Sequence, residues 1–150
     1  MSKIDSSKIS INCINIFKTS ITAEEPYLAN PIEIKQTRVG VSQESLFNFE
    51  SKLVAVKLNI VLEAIDIDNK LLGVKGEFGI EFQLYIENLD AFLDHDTSNN
   101  TIKVNGELGA TIMGIIYSTT RGIILEKTQN SYLRGTILPV INPATLLHIL

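Results

Sequence analysis

Between Val54 and Ala64 the residues Val54, Val56, Leu58, Ile60, Leu62 and Ala64 occupy alternate positions, with Lys57, Asn59 and Glu63 between them. Period-two spacing over this length predicts a strand with one face buried and the other wet. After Asp66-Ile67-Asp68-Asn69, which has turn composition, the phase resumes. Leu72, Val74, Phe78, Ile80, Phe82, Leu84 and Ile86 now alternate with Lys75, Glu77, Glu81 and Gln83. Two long alternating segments joined by a short turn predict an antiparallel hairpin.

Upstream, Ile9, Ile11 and Cys13 share one phase and Ile14 and Ile16 the other, so a bulge is expected near Cys13. A further strand is expected to include Ile32, Ile34 and Val39. Glu24 to Tyr27 and Gln43 to Phe49 read as connections, the latter with room for a turn of helix. Past the loop-like run Asp94 to Asn100 the period lengthens. Val104, Leu108, Ile112, Ile115, Thr119, Gly122, Ile123 and Glu126 follow helical spacing, predicting a helix from Val104 to Thr128. Gly106, Gly109, Gly114 and Gly122 weaken that helix intrinsically but allow another backbone to approach. Asn142 can cap a second, short helix with Pro143 at its first position and Leu146, Leu147 and Leu150 as its stripe. Strands first and helices last predict one α+β domain over residues 1–150, with the helices on one sheet face. Lys57, Asn59, Glu63, Lys75, Glu77 and Glu81 belong on the other.

Charge and cysteine usage narrow the function. A net charge of −4 counts against a phosphate-binding surface, so nucleic acid is not expected as a partner. Cys13 is the sole cysteine, which excludes an intrachain disulfide and suggests a small buried hydrophobe in a reducing compartment. The opening MSKIDSSKIS lacks the apolar stretch of a signal peptide. The apolar segment Leu108 to Leu125 is broken by Ser118, Thr119, Thr120 and Arg121, so no membrane span is expected. The expected location is the cytoplasm, where the Asn99-Asn100-Thr101 glycosylation match carries no meaning.

Chemistry is sparse. His95 lies in Asp94-His95-Asp96, but without a second histidine or a cysteine a solvated loop explains the cluster better than a metal or base site. His148, on the short terminal helix, is expected at the surface. Asp66 to Asn69 resembles the start of a calcium loop, yet Leu71 stands where the sharp turn needs glycine. Gly73, Gly76 and Gly79 lie within strand alternation, so bulges or close contacts are expected rather than a phosphate cradle. No nucleophile, base and orienting residue can be assembled, and the chain is expected to be non-catalytic, without metal or cofactor.

Three strings resemble the SecB family of protein-export chaperones: Gly73 to Phe82 its last sheet strand, Tyr117 to Gly122 the end of its long helix, and Leu138 to Leu147 the pattern before and within its final helix. The resemblance implies a four-stranded antiparallel sheet, with one long and one short C-terminal helix on one face. It also implies a homotetramer built from dimers, holding unfolded polypeptides in apolar grooves. One branch of the family delivers clients to the motor ATPase of secretion, and another protects an antitoxin. Ile123 to Thr136 is longer than the corresponding connection, and no acidic tail follows Leu150. Both departures count against delivery to the motor.

The expected function is therefore that of a holdase, with an interaction module dedicated to one partner, such as an antitoxin, as the alternative. Tyr27, Leu28, Phe47, Phe49, Phe92 and Leu93 are the candidate peptide contacts, as large apolar residues in expected connections. Core packing is the competing explanation for all six. Glu63, Glu77 and Glu81 are candidates for docking a partner on the wet sheet face, against the simpler view of a solvated surface.

Overall fold

The computed structural model describes residues 3–148. Its elements are β1 (Ile9–Ala23), α1 (Glu25–Ala29), β2 (Gln36–Asn48), β3 (Leu53–Ile65), β4 (Leu71–Ile86), β5 (Leu93–Asp96), β6 (Thr101–Val104) and α2 (Gly106–Lys127). Short 3-10 turns span Ser6–Lys8, Leu89–Phe92 and Pro143–His148. The first four strands form one antiparallel sheet in the order β1-β4-β3-β2, and β5 pairs with β6.

The expected hairpin is the centre of the sheet. Ile60 faces Phe78 and Leu58 faces Ile80 across the β3–β4 ladder, and every second residue from Val54 to Ala64 is buried. Cross-strand neighbours share a face, so Lys57 and Glu81, and Glu63 and Lys75, meet on the polar side. At the turn, Asp66 Oδ1 accepts hydrogen bonds from the amides of Asp68 at 2.8 Å and Lys70 at 2.9 Å. Asn69 takes the left-handed conformation at φ 61, which asparagine tolerates.

α2 closes the apolar face. Asn105 Oδ1 caps it by accepting from the amides of Glu107 at 2.8 Å and Leu108 at 3.3 Å. The helix thus starts just past Val104, which ends β6 instead. Leu108, Ile112, Ile116, Thr120 and Ile124, with Met113 and Tyr117, form its buried stripe. Although α2 is long and apolar enough to cross a bilayer, the apolar members of this stripe pack in one core with β3 and β4. The Pro143–His148 turn lies against it: a Cβ on Gly109 would sit 3.2 Å from Leu147, and one on Gly114 3.5 Å from Pro143. Two of the four helix glycines therefore mark a close approach, whereas Gly106 and Gly122 face open space. Asn142 Oδ1 accepts from the Ala144 amide at 3.1 Å, the expected cap, although the turn is 3-10. The expectations for the side chains of His148 and Leu150 fall outside the described residues.

Five expectations are corrected. A bulge at Asn12, between Ile11 and Cys13, resets the alternation by one residue. Ile14 and Ile16 therefore stay on the same face as Ile9 and Ile11, and Cys13 turns to the opposite face beside Gln83. Cys13 is half-buried there rather than a core residue. Gln43 to Asn48 is strand, because Gln43 pairs with Leu58 and Phe47 with Val54 along β2. Ile32 and Ile34 precede that strand instead of belonging to it. The run from Asp94 is partly strand, with Asp94 and Asp96 in the small β5–β6 hairpin.

The strand glycines behave as close contacts. A Cβ on Gly76 would lie 2.9 Å from Leu133 and 3.0 Å from Phe78, and one on Gly79 would run into the ring of Phe17. Phe17 is itself the extra residue of a second bulge, between Ile16 and Lys18.

Candidate functional site

β1 is one strand beyond the centre of the sheet and forms its edge. Its register puts Ile11 beside Leu84, Ile14 beside Phe82 and Ile16 beside Ile80, on the side that α2 covers. The cover does not extend over this edge: Ile11, Ile14 and Ile16 are 41%, 40% and 41% exposed, whereas Ile80, Phe82 and Leu84 are fully buried. An exposed apolar row on an edge strand is an unusual feature for an isolated domain. The same face continues along β1 to Ile21 and Ala23, opposite Gly76 and Val74.

At Ile21 the row enters a groove of about 1100 Å³ whose apolar lining includes Ile21, Ala23, Tyr27, Ile32, Ile34 and Tyr132. Tyr27 organises it. The Tyr27 hydroxyl donates to the Ile32 carbonyl at 2.7 Å, and its ring meets Tyr132 edge-on, with centroids 5.2 Å apart at 80°. Burial raises the pKa of the Tyr27 hydroxyl, with a smaller contribution from Tyr132, so it stays a protonated donor around neutral pH. The buried side chains of Leu133 and Leu138 anchor the segment that follows α2. Arg121 Nε donates to the Leu138 carbonyl at 3.0 Å and the Tyr117 hydroxyl to the Pro139 carbonyl at 2.6 Å.

A smaller apolar pocket of about 310 Å³ lies at the opposite end of the sheet, lined by Phe47, Val54, Val56, Val104, Ile112 and Met113 among others. Its buried amide is satisfied: Gln43 Nε2 donates to the Leu146 carbonyl at 3.2 Å, and its Oε1 accepts from the Ser45 hydroxyl at 2.6 Å. These bonds tie the edge strand β2 to the C-terminal turn.

The six proposed peptide contacts separate into three pairs. Tyr27 lines the large groove, and Leu28 is its exposed neighbour on α1. Phe47 and Phe49 stack with centroids 6.0 Å apart near the other end, and Phe47 lines the small pocket. Tyr27 and Phe92 are both buried members of the core, and Phe47, Phe49 and Leu93 pack against it. Phe92 and Leu93 line neither the groove nor the small pocket, so for these two core packing describes what is seen. Sequence alone did not single out Ile21, Ile32, Ile34 or Tyr132. The signal for Tyr132 would have been its pairing with Tyr27, which no local pattern carries across that separation.

The three glutamates share the polar face, each with a partner in the sheet. Glu63 accepts from Arg38 at 3.0 Å and Glu81 from Gln83 Nε2 at 3.0 Å. Glu77 lies between Lys18 and Lys75, the latter at 2.9 Å. The hydrogen bonds and charge from those two lysines lower its carboxyl to about 2. His95 is exposed on β5 opposite Ile102. Among the described residues no group of three or more His, Cys, Asp or Glu could hold a metal ion.

The sequence matches no family profile and no curated protein. The fold does have solved counterparts. A SecB-like chaperone of Mycobacterium tuberculosis, Rv1957, solved with a ChAD peptide from the Rv1956 HigA1 antitoxin, superposes with a TM-score of 0.55 at 13% identity. That match covers 91% of this chain and 92% of the other. A Streptococcus agalactiae protein of unknown function aligns with a TM-score of 0.46 at 12% identity, covering 88% and 97%. The first likeness shows a SecB-like α+β fold, with four antiparallel strands, one long helix and one short helical turn.

Proposed function

We propose that this protein is a non-catalytic chaperone that holds extended polypeptide segments, without metal or nucleotide, in a reducing, cytoplasmic setting. The observation that carries this reading is the open apolar groove at the end of β1, lined by Ile21, Ile32, Ile34 and Tyr132. An extended segment can lay alternate side chains into such a groove while its backbone adds contacts that do not depend on its sequence. Assembly is the second part of the proposal. The exposed Ile11, Ile14 and Ile16 lie on an edge strand and suit a second copy of the chain, consistent with a tetramer built from dimers.

A dedicated partner is the second reading. It is favoured by the Rv1957 structure, in which a SecB-like chaperone of similar fold is seen with an antitoxin peptide. Hand-over to the secretion motor has no such support.

The test is binding of a reduced, permanently unfolded protein, followed by light scattering on a size-exclusion column. We expect the client to comigrate with a tetramer, and Ile32→Asp to weaken binding about tenfold without changing the assembly. A well-folded tetramer that ignores unrelated unfolded proteins would sink the general reading and leave the dedicated partner.

A further inference from the structure

Acidic residues outnumber basic ones in this chain, 17 to 13, yet the groove is locally cationic. It adjoins a depression of about 220 Å³, and the two share Ile34, Tyr132 and Arg134. Lys127 lines the groove and Lys35 the depression, and the only carboxylate in either lining is that of Glu33. Lys127 is held 3.5 Å from Glu126. Lys35 and Arg134 have no ion-pair partner among the described residues, in contrast to Lys18, Arg38 and Lys75 on the polar sheet face. Two uncompensated cations therefore stand beside an open apolar lining.

We infer, resting on the reading of the groove as a polypeptide site, that its preferred segment carries an aromatic or branched aliphatic residue with Asp or Glu close by. The apolar side chain would sit against Ile21, Ile32 and Tyr132, and the carboxylate would meet Arg134 and Lys35. In an extended segment, residues two apart lie roughly 7 Å from each other on the same face, a spacing that can serve both features. The Arg134 guanidinium can grip a carboxylate with two parallel hydrogen bonds, which a lone ammonium cannot do.

The test uses three labelled peptides of equal length and apolar content, flanked by Glu, Gln or Lys, with the full chain. We expect affinity to fall in that order, with roughly three- to tenfold between the Glu and Gln peptides at low salt. The gap should narrow towards about 0.5 M salt, and the Lys35→Gln/Arg134→Gln double variant should erase the ranking. Equal affinities, a tightest Lys peptide, or a ranking that survives in the double variant would overturn the inference and leave the holding reading intact. If the folded chain binds none of the three, the holding reading fails and the inference falls with it.

Discussion

β1 and β3 both present an apolar row to the same side of the sheet, yet the two rows end in different surroundings. In β3, the residues Val56, Leu58, Ile60 and Leu62 are sealed between β2 and β4 and beneath α2. In β1, the residues Ile11, Ile14 and Ile16 point to the same side of the same sheet and remain two-fifths exposed. The difference is one of position: the helical layer covers the centre of the sheet and stops short of this edge. Alternation tells which way a side chain points, and only the neighbouring layer decides whether anything covers it.

The most severe way to probe this contrast is truncation. Phe82→Ala, at the centre, should cost about 3–5 kcal/mol in urea denaturation. Ile14→Ala, its cross-strand neighbour, should cost about 1 kcal/mol or less under dilution to monomers. Equal costs at that dilution would show that the β1 row belongs to the core, and the comparison would break.

Crowding offers a second, smaller contrast within β4. Gly76→Ala forces a methyl against Leu133 and Phe78 in the buried layer and should destabilise by about 1–3 kcal/mol. For Gly79→Ala the nearest atoms are those of the Phe17 ring, a side chain 53% exposed, with solvent to move into. It should cost less than about 1 kcal/mol. If the order were reversed, Phe17 would be held in place by something other than Gly79.

The smallest expected effect concerns the polar face. Glu77 is lowered from 4.5 to about 2 by Lys18 and Lys75, so its contribution is complete above about pH 4.5 and is lost as the pH falls towards 2. Glu77→Gln should therefore be slightly less stable than the parent near neutral pH, with the two converging in acid. A stability difference that did not change with pH would show that packing, and not charge, is the role of Glu77.

Much of the architecture was legible because it is periodic. The β3–β4 hairpin, its Asp66 turn, the long helix and the polar assignment of Lys57, Glu63, Glu77 and Glu81 follow from spacing and local hydrogen-bonding chemistry. The second half of β2 does not show as a strand in the sequence, because Gln43 and Ser45 stand on its core face where apolar residues would be expected. Their polarity makes sense only with the Leu146 carbonyl beside them, a partner 103 residues away. Cys13 looks like a core residue in the sequence because the bulge at Asn12 shows there only as a broken alternation, and the break does not say which residue is extruded. Aromatic size and loop composition selected both Tyr27 and Phe92, and both side chains lie in the buried core, Tyr27 where that core lines the groove.

By itself, the sequence determined the strand and helix periods, the faces of β3 and β4, the Asn142 cap and the acidic balance of the chain, since each depends on the residues themselves or on neighbours a few positions apart. Tertiary structure decided which apolar residues stay uncovered, that Tyr27 meets Tyr132, and that Lys35 and Arg134 gather beside an apolar groove. Those outcomes depend on how far one layer extends over another, and local spacing holds no information about that extent.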